Sequence, residues 1–411
     1  MNKISTKIIA TKYAKPDVHG AINMPVYRNA AFEYPDSQSI ADAFAFRTDL
    51  HTYSRISNPT VANFEAKIQQ ASGAENVMAL ASGMAAISNT FLTIASAGNN
   101  IVSSPHLFGN TFSFFRSTLA SFGVEIRYVD TDDLYAVAAA IDGNTCAFFA
   151  EILTNPHLEV ANLPAISAIL KERGVPMILD TTVIPWGGYD REKAGVDIDV
   201  VSTTKYVSGG ATSIGGAIVD YGVHDWKTNR KLSALPKPKG MSRFFFKLRS
   251  EIGRNIGAYM SPDTAYLQSL GMESLELRYE RMAATASTLA HSLAQNSKIA
   301  KVHYPGLPDS PYYSIAQQLF SGNPGAMFTI SLTSKSDCFR FMDGLQIIRR
   351  ATNLFDNKTL VIHPESTIYA TFPPELKRLV GIDDTLIRFS VGLEEASDLL
   401  EDIEKQLSIQ Q

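Results

Sequence analysis

The sequence predicts an α/β fold, with a large, mostly parallel sheet covered by helices and a smaller α+β domain at the C-terminal end. Three observations carry this prediction. Short apolar runs recur at 77–80, 101–103, 125–129, 146–150, 177–179 and 199–201. They lack clean polar alternation, as strands buried on both faces do. Helical stretches separate them, and after Pro262 the pattern changes to a mixture of helix and strand.

Taken in order, residues 1–60 form an irregular N-terminal arm, because Pro16, Pro25, Pro35 and Pro59 break any long helix. Such an arm is expected to contact a neighbouring subunit. Residues 61–260 make the large domain that carries the mostly parallel sheet. Within it, 161–173 reads as a helix opened by Asn162 and Pro164 and ended before Gly174. Between Asp220 and Ser261 the pattern loosens into a basic, proline-containing stretch, expected to be a long surface excursion. Residues 261–411 make the C-terminal domain. One long helix is expected to about Ser297, then strands at 326–332 and 386–391 and helices at 336–345 and 394–407.

Composition excludes several classes. The 411 residues carry 37 basic and 41 acidic side chains. No basic stripe is present to neutralise phosphates, so nucleic acid is not an expected partner. No apolar run reaches the roughly eighteen residues that a membrane span needs. The N-terminus lacks the apolar core of a signal peptide. Cys146 and Cys338 lie in apolar runs, which argues against a disulfide framework and for a reducing cytoplasm. Without GxxxxGK[ST], CxxC or HExxH, neither a P-loop nor a metal site is expected.

The chemistry should lie beyond the carboxyl ends of the strands. The run 77–80 leads into Ala81-Ser82-Gly83-Met84 and a helix start, where backbone N–H groups favour an anion. An ordinary serine cap explains the same residues. Glu151 through Pro156 follows one strand and Asp180 follows another. A carboxylate there suits a cationic ring nitrogen, a ribose hydroxyl or a helix cap. Ser202-Thr203-Thr204-Lys205 then brings hydroxyls and a lysine to the end of a buried strand. A lysine with a lowered pKa can form a Schiff base with an aldehyde, although most lysines are merely solvated. Pyridoxal phosphate needs such a lysine, an acid for its pyridine nitrogen, donors for its phosphate and an aromatic face.

The order of these parts resembles the Cys/Met-metabolism family of pyridoxal-phosphate enzymes, from about Gly20 to Glu395. The resemblance implies fold type I, the aspartate-aminotransferase-like fold, and a homotetramer made of two tight dimers. It implies that Lys205 holds the cofactor, that Ser202 and Thr204 bind phosphate, and that Ser82, Gly83 and Met84 form the phosphate loop. Tyr53 and Arg55, in Tyr53-Ser54-Arg55, would reach the phosphate of the neighbouring subunit. Asp180 would pair with the pyridine nitrogen, with Thr182 beside it, and Asn155 would meet the phenolic oxygen. Arg388, in Ile387-Arg388-Phe389-Ser390, would grip the substrate carboxylate with Asn353.

Besides Asn353, which stands where the family usually has a serine, four positions depart from the family pattern. Phe108 replaces the usual stacking tyrosine, which keeps the aromatic face and removes a hydroxyl. Tyr53 or a water then becomes the candidate proton donor. Asn110 stands where the thiol-eliminating members have a cysteine, Thr181 replaces an asparagine, and Val201 replaces a histidine. The 220–261 stretch and the wording of 265–275 resemble the sulfhydrylase branch. That branch implies γ-replacement on an activated homoserine ester, with O-acetylhomoserine and sulfide giving homocysteine and acetate. Elimination from methionine, transfer to cysteine, or a silent cofactor-binding protein are the other expectations.

Overall fold

The computed structural model describes residues 3–13, 17–45 and 47–409; Pro16 lies outside the described residues. Near the N-terminus the expected irregular arm contains two short helices, Ile4–Ile9 and Ser37–Phe44. Ile8 is fully buried, so the first of these is docked rather than free. A proline every ten or so residues still leaves room for one or two helical turns. The next helix, Pro59–Ser72, has local causes at both ends. The Asn58 side chain accepts from the Thr60 N–H, Pro59 fills the first turn, and Gly73 closes it at φ 73°.

Seven strands follow: β1 Asn76–Leu80, β2 Asn100–Ser103, β3 Glu125–Tyr128, β4 Thr145–Glu151, β5 Met177–Asp180, β6 Ile198–Val201 and β7 Gly216–Asp220. Their order across the sheet is β1-β7-β6-β5-β4-β2-β3. All run parallel except β7, which pairs antiparallel with both β1 and β6. β1 to β6 match the sequence reading within a few residues. No strand is expected at β7, which starts in the glycine-rich stretch 209–216, a composition that suits close backbone approach as well as a turn. Gly216 begins this strand for a steric reason: a Cβ there would stand 2.0 Å from the Ser82 carbonyl oxygen. Only a glycine lets β7 run this close to the start of the helix Gly83–Ile94.

The stretch after Asp220 is not a surface excursion. Trp226, Leu232, Phe244, Phe245 and Leu248 are buried there, against the core that also holds Ile87, Phe91 and Ile94 of the helix Gly83–Ile94. Its basic residues mask an apolar set without a simple period, so composition alone misleads. The single long helix expected after Pro262 is two, Pro262–Glu273 and Leu275–Leu293, broken at Ser274 with φ −110° and ψ 12°.

A second sheet is built from β8 Lys301–His303, β9 Met327–Ser331, β10 Arg349–Arg350, β11 Leu360–Ile362 and β12 Leu386–Ser390, in the order β10-β11-β12-β9-β8. The helices Lys335–Gly344 and Ala396–Ile409 accompany it. Phe328 and Phe389, on adjacent strands, stack with centroids 4.8 Å apart, as aromatic cross-strand pairs do. Among the described residues no helix is long and apolar enough to cross a membrane.

Replacing Gly216 with Ala should lower the unfolding free energy by about 1–3 kcal/mol, the range of other overpacking changes. Urea or thermal unfolding checks this, and a wild-type midpoint would contradict the steric account of β7.

Candidate functional site

Glu151 and Asp180 end β4 and β5, and the two strands pair so that these carboxylates are direct cross-strand neighbours. Lys205 follows β6 by four residues, and Ser82 opens the helix after β1. All four therefore lie at the carboxyl ends of parallel strands, where open α/β sheets bind ligands. Here the second sheet closes over them. The result is a cavity of about 960 Å³, lined by Ser82, Gly83, Met84, Phe108, Asn155, Asp180, Thr182, Ser202, Thr204, Lys205, Asn353 and Arg388 among others. Twelve of the fourteen residues singled out from the sequence thus meet in one place.

Tyr53 and Arg55 do not line it. Tyr53 is 43% exposed, and the Arg55 guanidinium lies over its ring at 5.6 Å while donating to the Arg254 carbonyl. A smaller hollow of about 560 Å³, around Lys171 and Arg191, lies at the opposite ends of β5 and β6 and holds none of the fourteen.

Lys205 is the reactive group of the cavity. Its Nζ donates to Asn353 Oδ1 at 2.7 Å. Burial, followed by the nearby Arg388 charge, pulls its ammonium down to about 8, while Asp180 opposes the fall. A lysine held this low presents a free amine near neutral pH.

The carboxylate pair behaves as a unit. Burial pushes Asp180 up, but the hydrogen bonds from Thr182 and the charge of Lys205 pull it back. Glu151 is pushed up by burial and by Asp180, against the backbone N–H groups of Phe108 and Asn155. Two like charges this close in low dielectric do not both ionise freely. Each carboxylate accepts two hydrogen bonds, but only Asp180 has a cation beside it, so Glu151 is the member that keeps the proton.

Arg388, on β12, is almost fully buried. One guanidinium nitrogen donates to Asn155 Oδ1 at 3.0 Å, and another lies 3.3 Å from the Asn353 carbonyl. Its Nε is buried without a partner. Burial lowers the group to about 9, which leaves it charged at neutral pH. A buried cation with an unused donor is costly unless an anion meets it.

The opposite wall is a cradle of small residues. The Ser82 hydroxyl accepts from the Ala85 N–H at 3.0 Å, so it is a true helix cap as well. At Gly83 a Cβ would fall 2.7 Å from Ser202 Cβ, so backbone N–H groups lie where a side chain would block them. The Ser202 N–H donates to Thr182 Oγ1 at 2.8 Å, and the Thr204 hydroxyl bridges Gly215. This 12-residue helix directs its N-terminal dipole into the cavity.

These residues fit pyridoxal phosphate. They offer an amine that gives up its proton more readily than an ordinary lysine for its aldehyde, a buried carboxylate for its ring nitrogen, a ring face at Phe108 and a glycine-made anion cradle. The sequence reading placed Glu151 at a strand end, where a carboxylate suits a ring nitrogen, and the family resemblance then gave that task to Asp180 alone. Its burial and its two backbone partners could not be read from one chain position. Tyr369, behind the cavity wall, gave no signal at all.

Known proteins agree with this geometry. The family described as Cys/Met metabolism PLP-dependent enzyme matches residues 5–408. The chain is 35% identical to O-acetyl-L-homoserine sulfhydrylase 1 of Thermus thermophilus, over 94% of this chain and 95% of that one. It is also 35% identical to L-methionine gamma-lyase of Pseudomonas putida, covering 98% and 96%. A Campylobacter jejuni structure described as an O-acetylhomoserine (thiol)-lyase superposes with a TM-score of 0.91 at 30% identity, covering 99% of this chain and all of that one. It carries N′-pyridoxyl-lysine-5′-monophosphate at its position 205.

The lowered lysine has a kinetic consequence. Below about pH 8 the Lys205 ammonium has no lone pair, and above it the amine is free. Capture of pyridoxal phosphate by cofactor-stripped protein should therefore accelerate with a midpoint near 8. Visible absorbance against pH, with Lys205→Ala as the blank, measures it. A midpoint at the ordinary lysine value would contradict the electrostatic account.

Proposed function

The chain belongs to the Cys/Met-metabolism family of pyridoxal-phosphate-dependent enzymes, and we propose that its reaction is γ-replacement. In this reading O-acetylhomoserine and sulfide give homocysteine and acetate, a step of methionine biosynthesis. The convergence of Lys205, Asp180 and Arg388 on one cavity is the observation that carries the enzymatic reading. A protein that only bound the cofactor would not need a buried guanidinium lining the same space.

Each residue has a task in this reading. Arg388 takes the substrate carboxylate, and Asn155 and Asn353 fix the guanidinium. The bound cofactor supplies an electron sink for negative charge developed at the substrate carbons. Asp180 keeps a proton on the ring nitrogen, and Thr182 holds that carboxylate in place at 3.0 Å. Phe108 packs its face on the ring. Ser82, Ser202, Thr204 and the N–H groups of Gly83 and Met84 hold the phosphate. Lys205 Nζ accepts the Cα proton, since its lowered value makes it a base near neutral pH. A proton leaves Cβ, acetate leaves Cγ, sulfide adds at Cγ, and the two protons return.

Phe108 favours this reaction over elimination from methionine. Acetate departs as a stabilised anion and needs no proton, whereas a thiolate or hydroxide is more basic and benefits from an acid. No tyrosine, cysteine or histidine of this chain lines the cavity among the described residues. Elimination is the second reading, because the relative acting on methionine matches as well as the sulfhydrylase does. The reading also includes Tyr53 and Arg55 donated by a neighbouring copy, in a cytoplasmic homotetramer whose arm is residues 1–60. The exposure of Tyr53, and the position of both residues outside their own cavity, support this exchange.

Purified enzyme given O-acetylhomoserine should release homocysteine only when sulfide is present, measured by product chromatography. If 2-oxobutanoate dominates with and without sulfide, elimination is the main reaction and this reading fails.

A further inference from the structure

Two side chains grip the same two backbone stretches beside the cavity. Glu151 accepts the N–H of Phe108 on one oxygen and the N–H of Asn155 on the other, the latter at 3.2 Å. The Tyr369 hydroxyl lies 3.3 Å from the carbonyl of Leu107 and 3.3 Å from the carbonyl of Asn155. Leu107 C=O and Phe108 N–H belong to one peptide unit. Glu151 thus holds one edge of that unit and Tyr369 the other, and they do the same around the backbone of Asn155.

Both grips are dry. Glu151 is 6% exposed and Tyr369 1%, so neither competes with water for its partners. They come from different parts of the fold, Glu151 from the end of β4 and Tyr369 from the segment between β11 and β12. The two residues they hold face the cavity from opposite roles. Phe108 offers its ring, and Asn155 accepts from Arg388. A carboxylate that only satisfied stray donors would have no reason to take both of these.

We propose that Glu151 is a positioning residue, which with Tyr369 clamps the Phe108 and Asn155 backbones and so sets the pose of the cofactor ring and of Arg388. Glu151 borders the cavity, and in this role it acts through the two residues it holds. The proposal rests on the pyridoxal-phosphate reading of the cavity but not on which γ-reaction follows.

The test uses the holoenzyme. In Glu151→Gln the carboxamide keeps one acceptor and turns an NH₂ toward the other N–H, so one grip is lost. The visible dichroism of the bound cofactor, which reports its pose, should lose its larger part at unchanged cofactor stoichiometry and far-ultraviolet spectrum. The value of kcat/KM should fall about tenfold or more, the scale of leaving a buried N–H without its acceptor. Tyr369→Phe should move both readouts in the same direction by about threefold, the scale of a neutral hydrogen bond. Because the two clamp the same peptides, the double variant should lose less than the product of the single losses.

A Glu151→Gln enzyme with wild-type dichroism and kcat/KM would overturn the proposal, as would a lowered melting point with unchanged dichroism. If that variant does not fold, Tyr369→Phe decides alone, and unaltered dichroism there rejects the clamp. Since the dichroism is read without substrate, a wrong choice between replacement and elimination leaves this outcome unaffected.

Discussion

Burial of a lysine amine next to a buried guanidinium is the constraint on which the site depends. Desolvation and the Arg388 charge both push Lys205 toward its neutral form, and Asp180 alone pulls the other way. The balance leaves an amine that reacts near neutral pH without a strong base beside it. It also requires that Asp180 remain ionised although a second carboxylate lies on the neighbouring strand. Glu151 meets that requirement by keeping its proton while accepting two backbone donors.

Such an arrangement needs the two sheets together. The parallel strands deliver Glu151, Asp180 and Lys205 to one edge, and β12 delivers Arg388 from above. Asn155 and Asn353 connect the halves, the first to Arg388 and the second to Lys205. The anion cradle opposite depends on glycine at two contacts, Gly83 against Ser202 and Gly216 against Ser82. Larger residues there would move the helix Gly83–Ile94 away from β6 and β7, and its N–H groups with it. Packing and binding are the same contacts in this region.

Strands β1 to β6 were legible because each leaves a local mark, and the site residues because such marks, in their order along the chain, resemble a known family. The strands are short apolar runs, and Lys205, Asp180 and Ser82 stand at their ends. What stayed hidden has no local mark. β7 begins in a glycine-rich stretch whose need for glycine comes from Ser82, more than a hundred positions away. The apolar residues of 226–248 are spaced irregularly and interleaved with basic ones, so their burial follows from the surface they cover. The break at Ser274 interrupts an unbroken helical pattern. Glu151 and Tyr369 act on main-chain atoms, which no side-chain motif announces. Tyr53 and Arg55 were legible as a motif, yet one chain does not bring them to its own cavity.

The central claim is that the cofactor's aldehyde is carried by Lys205. Borohydride reduction of the yellow holoenzyme, followed by proteolysis and mass mapping, tests it most directly. The account predicts one pyridoxyl adduct, on the peptide containing Lys205, with every other lysine unlabelled. An adduct on another lysine, or cofactor retained with no adduct at Lys205, would contradict it.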